Sequence, residues 1–596
     1  MDIELQKRIN DAIQAASQLS THRIDYEQLD PVVKMMLVAL VNETQKIHDY
    51  VDGATQRIAE RFSTNFMPRE KVEAMPAVCL LRPTVKSSYG SAMASVGSGA
   101  AFLYKKEGLK SPLNYIPLFN TALLPNSGLY LLNAHHLRHG SDNIDIQMEH
   151  SNLLWVGIKT NAELDSIKGL PILLKGTNGM MPEHIYAGAN MEEIDFSTML
   201  EMENIEMAEP FDAQQSSGTF FSLMENWKNS LLNLQDASLL YITDSNQNRD
   251  LFKARPYPKH FQQWLESEVL DYFQPDTVWL MFEFPDEYNV PDNIEVVLNA
   301  FPATNINMES LMLTQNQPIA KLQKNEASFF LRILETSVAN NKQGFNMTND
   351  DIIIRDFDAQ CYNNGQLYRD VRNLYNRFVD DYYAFIEYNG IKDGEVLKTL
   401  RETINKLGKS VGQQNEKFKF DSGVYVMKNM AQYPPTSSTR VSYITTMGRI
   451  GNSPRAGETM DCRGVTGIDQ KAEIVVSAMG GADKATADER YELLRYYALT
   501  NDRLYTRMDI DAFLRKELLA EYGKEEFRRI FIKISIEGAA GANVLKRGLY
   551  ITIEFKDRKN YQHALDNTLD KLLEQRIRNK SCIAMPINVQ LKNLEE

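Results

Sequence analysis

The sequence predicts an α+β protein of several domains: long helices at the N-terminus, a β-rich middle, and a C-terminal ferredoxin-like split βαβ sandwich. Three observations predict it. Residues 1 to about 66 carry helical periodicity, and the chain after Pro68 and Pro76 turns into short alternating runs. About 125 residues at the end are ordered strand, helix, strand, strand, helix, strand, with one helix extra. The boundaries that follow are 1–70 (helical), 71–320 (β-rich, with an acidic insertion), 321–465 (mixed) and 466–596 (the sandwich).

The N-terminal helices divide at "YEQLDPVV", where Asp30 can cap and Pro31 can take the first helical position. In the second helix Val33, Leu37, Leu40, Thr44, Ile47, Val51, Ala54 and Ile58 alternate spacings of four and three, the seam of a coiled coil. The first helix, with Leu5, Ile9, Ile13 and Leu19, is one possible cover. The second helix is the longer, about 30 residues against about 20, which leaves part of the seam for a partner chain.

The middle reads as strands in "AVCLLRP", "GAAFLYKK", "LLWVGIKT", "LPILLKG", "TVWLMFEFPD" and "IEVVLNAFPA". Its insertion, "MEEIDFSTMLEMENIEMAEPFDAQQ", holds eight carboxylates, and no Lys or Arg occurs between Lys175 and Lys228, so it is expected to face solvent or a partner. In the last region "AEIVVSA" reads as a strand leading to Gly480 and Gly481. Thr486 and Glu489 form a capping box, and Leu493, Leu494 and Tyr497 are the expected buried side of the helix. After the turn "TNDRL", Thr506 and Asp509 cap a second helix with Ile510, Phe513, Leu514 and Leu518 inside, and Gly523 is placed to end it. "IFIKISIEG" and "GLYITIEFK" alternate as half-buried strands, and a helix with Ala564, Leu569, Leu573 and Ile577 leads to a last strand.

At 596 residues and 68.1 kDa, with 43% hydrophobic and 24% charged residues, the chain has the composition of a folded protein. A formal charge of −14 argues against wholesale binding to nucleic acid or anionic lipid. Cys79, Cys361, Cys462 and Cys582 lie far apart with no CxxC, which suggests neither a disulfide framework nor a zinc site and fits a reducing cytoplasm. "MDIELQKRINDAIQAASQL" lacks an apolar core, so no secretory signal or membrane insertion is expected.

No constellation carries chemistry convincingly. His135, His136 and His139 in "NAHHLRHGSD" would share a face only on a helix, yet they sit among strand-like runs. A metal-dependent hydrolase built on them is the alternative from another functional class. "SVGSGAAFLY" lacks Lys-Ser/Thr and leads into a strand, so it cradles no phosphate. Cys462 has no histidine near it in sequence, since none lies between His260 and His563. The helix pair after residue 486 could be read as a DNA-binding unit, but its first helix carries Asp483, Asp488, Glu489 and Glu492 against Lys484, Arg490 and Arg495 and so presents no basic face for phosphates. No catalytic residue, metal or cofactor is therefore assigned.

Four stretches, taken in order, resemble one family. "GGADKATADERYELLRYYALTNDRLYTRMDIDAFL" resembles the motif of wedge proteins in contractile-tail baseplates, with Gly480, Gly481, Thr486, Glu489, Arg503, Thr506 and Asp509 in the recognisable places; Ile510 stands where an aromatic is commoner. The stretch from "LDPVVKMMLVAL" to "AVCLLRP" is similar to the opening of TssF, the type VI secretion baseplate wedge protein. "VVLNAFPATNIN" resembles its "lNc.PvvN" block through Asn299, Pro302 and Asn305, and "VSYITTMGRIGN" is like a further strand-turn element. The resemblance implies a structural subunit without catalysis, cytoplasmic and held at the inner membrane through other subunits. Two copies of it would join a TssG-like subunit, with a TssK-like adaptor, a TssE-like sheath initiator and the spike/hub as further partners. The equivalent wedge of a phage tail or an extracellular contractile injection particle is the nearest alternative.

Overall fold

The structure, a computed structural model, describes parts of 30–40, most of 73–339, residues 345–346 and 352–357, parts of 398–406, and most of 423–594. The chain divides into two compact units, one formed by residues 74–483 and one by 1–73 with 484–596.

In the larger unit, strands Val78–Val85, Phe301–Asn305, Leu113–Pro117, Ala101–Tyr104, Thr459–Arg463 and Ile468–Met479 close, in that spatial order, into a six-stranded barrel. Its interior is apolar, with Leu80, Phe102, Tyr115, Phe301, Met460 and Ile474 buried. Beside it lies a four-stranded sheet whose strands are apolar on both faces. From Pro171–Lys175, Leu173 faces the barrel core while Ile172 and Leu174 join a second core; Leu239 and Leu240 of Ala237–Ile242 divide the same way. Successive side chains of a strand point to opposite faces, so a near-continuous apolar run identifies a middle layer.

The layer beyond is a seven-stranded sheet centred on Leu153–Lys159 and Thr277–Glu283. Leu154, Val156 and Ile158 face the middle layer, and Trp155 faces an aromatic cluster with Phe261, Phe273 and Trp279. A Cβ on Gly157 would lie 2.9 Å from the Trp279 ring, so glycine makes room for that indole. The acidic insertion is anchored by this logic too. Its carboxylates Glu201, Glu203 and Glu206 are exposed, while the interleaved Met199, Met202, Ile205 and Met207 enter the barrel core.

In the second unit, helices Ala487–Thr500 and Arg507–Phe527 precede a three-stranded sheet. Phe531–Ala539 runs antiparallel to Lys546–Phe555, which runs parallel to Ile587–Asn593, with helices Arg558–Asp566 and Leu569–Lys580 in the crossover. This departs from the expected split βαβ sandwich. The strand "AEIVVSA" belongs to the barrel, where Ile474 and Val476 lie opposite Leu81 and Leu80; its apolar alternation is satisfied by that ladder. The final crossover joins parallel neighbours, as a connection of a dozen or more residues permits. Tyr497 packs against the core as expected, while the fully buried position is taken by Tyr496, and Leu493 and Leu494 are only half-buried. Gly523 breaks the second helix at φ 72°, but helical residues continue to Phe527.

Near the N-terminus the Val32 N–H donates to Asp30 Oδ1 at 2.8 Å, the expected cap. Of the seam, Val33 is 46% and Leu40 64% exposed; Leu37, Thr44, Ile47, Val51, Ala54 and Ile58 lie outside the described residues. No described helix is long and apolar enough to cross a membrane.

Candidate functional site

The residues singled out in the sequence fall into two groups, one in each unit. In the larger unit, segments far apart in sequence meet beside the barrel. Asn305 ends the strand Phe301–Asn305 and is fully buried. Its Oδ1 accepts from the Met447 N–H at 3.0 Å and from Thr446 Oγ1 at 3.3 Å, and its Nδ2 donates to the Asn114 carbonyl at 2.9 Å. Its backbone N–H donates to the Ala77 carbonyl at 2.7 Å. One amide side chain thus holds three strands and the turn Gly448–Asn452.

That turn is held in place from its other side. Asn452 Nδ2 donates to the Gly481 carbonyl at 2.8 Å, and the Gly481 N–H returns a bond to Asn452 Oδ1 at 2.9 Å. The Arg449 N–H donates to Asp483 Oδ1 at 2.8 Å, and the Tyr115 hydroxyl donates to the Gly451 carbonyl. Glycine is required here by proximity: a Cβ on Gly481 would sit 2.4 Å from the Gly448 carbonyl oxygen and 2.8 Å from Asn452 Oδ1. Gly480 adopts φ 80°, and a Cβ there would meet Ser230 Oγ at 2.2 Å.

Asn299 does the same work a few residues upstream. It adopts φ 64°, a conformation that asparagine tolerates better than most residues. Its side-chain amide forms a reciprocal pair with the Leu124 backbone, at 2.9 Å to the N–H and 2.8 Å to the carbonyl. Pro302 lies opposite Leu80 and one residue before the ladder to Leu113–Pro117 begins, a position that tolerates a missing N–H. Buried amides with every polar atom engaged hold a backbone in place and have no proton to give up near neutral pH.

The group in the second unit is ionic. Thr486 and Glu489 make their reciprocal box, at 2.7 Å and 3.4 Å. Asp509 Oδ2 accepts from the Thr506 and Tyr505 N–H groups at 2.8 Å and 3.0 Å, and the Asp509 N–H donates to Thr506 Oγ1 at 3.2 Å, a fuller cap than the sequence suggested. Burial would raise the Asp509 carboxyl, but those bonds hold it below its ordinary value. Arg503 is exposed, its guanidinium against the Tyr505 hydroxyl.

Asp502 and Glu517 do more than pattern alone revealed. Asp502, at φ 63°, accepts from the Tyr496 hydroxyl at 2.9 Å and from Lys580 Nζ at 2.7 Å, tying the inter-helix turn to the end of the last helix. Burial pushes the Glu517 carboxyl up, yet Lys516 at 2.7 Å and the Arg576 guanidinium outweigh it and hold its pKa at about 2.

The histidines do not converge on a metal site. His136 and His139 belong to the strand His136–His139. His136 Nδ1 lies 3.0 Å from Asp145, while His139 Nδ1 meets the Leu129 carbonyl at 2.9 Å and its ring stacks on Tyr130. The shared helical face does not form because the segment is a hairpin, and among the described residues no group of three His, Cys, Asp or Glu could hold a metal ion. Cys462 is half-buried, and burial pushes its thiol up to about 11, away from nucleophilic character.

No family model and no curated protein matches the chain. The solved structures similar to it include two from type VI secretion baseplates. One is a chain of the type VI secretion system TssK-TssF-TssG baseplate subcomplex, at 10% identity over 94% of this chain and 96% of that one, TM-score 0.41. The other is a chain of the type VI secretion system baseplate complex, at 11% identity over 99% and 95%, TM-score 0.32. Likeness of that degree leaves function to be argued from the residues.

Proposed function

We propose that the chain is a structural wedge subunit of the baseplate of a contractile injection machine, of the TssF kind, working with a TssG-like partner and a second copy of itself. One observation carries the proposal. The four stretches that resemble wedge proteins are separated by up to hundreds of residues, yet Ala77, Asn305, Met447–Asn452 and Gly481–Asp483 from all four share one hydrogen-bonded junction. Stretches with only a chance likeness have no reason to meet. Amide side chains clipped to backbone and glycines packed against it hold a shape, which supports a geometric role for the junction.

The N-terminal seam is the proposed contact with partner chains, because an apolar stripe on a long helix buries itself most simply in a bundle. TssK-like, TssE-like and spike/hub contacts belong to the same reading. Co-expression with the neighbouring baseplate subunits tests it: Leu37→Asp, Leu40→Asp and Ile47→Asp together should abolish co-purification while the tryptophan fluorescence of the barrel unit stays native. Normal co-purification of that variant would refute the proposal.

A further inference from the structure

We infer that a second contact between copies is driven by charge, with a basic and apolar patch at one end of the C-terminal sheet docking on the acidic strip 192–206 of another copy. It does not depend on the N-terminal seam.

The patch follows from strand register. Phe531 lies opposite Glu554, and Glu554 opposite Lys592, so all three share one row on the sheet face away from the core residues Ile551, Ile553 and Phe555. The turn before this row brings Arg528 and Arg529, and after it come Lys556 and the first residues of the helix Arg558–Asp566, Arg558 and Lys559; all are exposed. Glu526 links the two segments, with Arg529 at 3.7 Å and the Asn560 amide at 2.7 Å. Among the described acids of this end, Glu554 is paired with Lys533 at 2.6 Å, and Asp557 accepts from the Lys559 N–H at 2.9 Å. Among the described residues of this end, Arg528, Arg529, Lys556, Arg558, Lys559 and Lys592 outnumber Glu526, Glu554 and Asp557. Phe531 and Leu594, 50% and 49% exposed, add apolar area beside them.

A basic patch on a chain of net charge −14 finds its natural complement on its own kind. The strip 192–206 matches it: Glu192, Glu193, Asp195, Glu201, Glu203 and Glu206 are exposed, no Lys or Arg interrupts them, and Leu200 among them is 53% exposed. Its two ends are held separately, Glu192 and Glu193 by pairing with Ala187 and Tyr186 at the edge of the seven-stranded sheet with Ile194 in the second core, and 199–206 by Met199, Met202 and Ile205 in the barrel core, so it is a formed surface with little ordering left to do on contact.

The test uses the full-length protein. Equal amounts of isotope-labelled and unlabelled chain are crosslinked at 50 mM salt, and mixed-label peptides are sought between 528–559 and 192–206. The expected result is such peptides, lost at 500 mM salt. Arg528→Glu/Arg558→Glu/Lys559→Glu should weaken self-association about tenfold without moving the melting curve. Mixing that variant with Glu201→Lys/Glu203→Lys should restore it. Crosslinks confined to one copy, or salt-sensitive binding to anionic vesicles in place of a second copy, would overturn the inference. Repeating the experiment with Leu37→Asp/Leu40→Asp separates the two interfaces: persistence of the crosslinks is expected, and their loss would assign the contact to the seam.

Discussion

The two units solve one problem, holding distant segments in register, with different chemistry. The barrel junction uses neutral amides: Asn299, Asn305 and Asn452 each clip backbone from another part of the chain. The C-terminal unit uses charge: Asp502 and Asp509 organise the turn, and Glu517 between Lys516 and Arg576 joins two helices. Amides do not titrate in the range where proteins work, whereas a carboxylate held between cations does so at a displaced pH. Acid should therefore loosen the Glu517 cluster while leaving the amide clips of the junction untouched.

The comparison can be read directly, because all four tryptophans, Trp155, Trp227, Trp264 and Trp279, lie in residues 74–483. Indole emission reports the barrel unit alone. The largest effect is expected from Gly481→Ala, whose Cβ meets a backbone oxygen that cannot move aside cheaply; a loss of about 3 kcal/mol or more should appear in the emission-monitored denaturant midpoint. Asn305→Ala comes close behind, at about 2–4 kcal/mol, since it leaves the buried Met447 N–H unsatisfied and removes the half-buried bond to the Asn114 carbonyl.

In the other unit, Glu517→Gln should cost on the order of 3 kcal/mol at pH 7, from a carboxyl pKa of about 2 against an ordinary 4.5. The sign follows from the depressed pKa. The contribution is full above the unfolded value and fades as pH falls from about 5 towards 2, so wild type and variant should converge near pH 2. Helical circular dichroism should register this loss and indole emission should not; equal shifts in both would break the distinction between the units. The smallest effect is Thr486→Ala, about 1 kcal/mol for one cap, visible as faster amide exchange in the first turn of the helix.

Much of this was legible in the sequence, for reasons local to each residue. The caps at Asp30, Thr486 and Thr506 were readable because a cap is a contact over two or three residues. The layered middle was readable as short alternating runs, although only the ladders show that "LPILLK" lies between two cores. "AEIVVSA" was placed in the wrong sheet because alternation shows that a strand has an apolar face, not what covers it. Asn452, Tyr115 and Asp483 were missed, since their partners lie 29, 336 and 34 residues away, where no periodicity reaches. Ion pairs such as Glu517 with Arg576 leave no trace in a pattern of hydrophobicity for the same reason.

Met75 and Ala482 exchange backbone hydrogen bonds at 2.8 Å and 3.0 Å, at the two points where the chain enters and leaves the barrel unit. Tension transmitted along the polypeptide from residue 73 to residue 484 therefore crosses this pairing and the strands next to it, bypassing about four hundred residues of sheet. Pulling on the flanking segments would leave the barrel unstretched until that short clasp gave way.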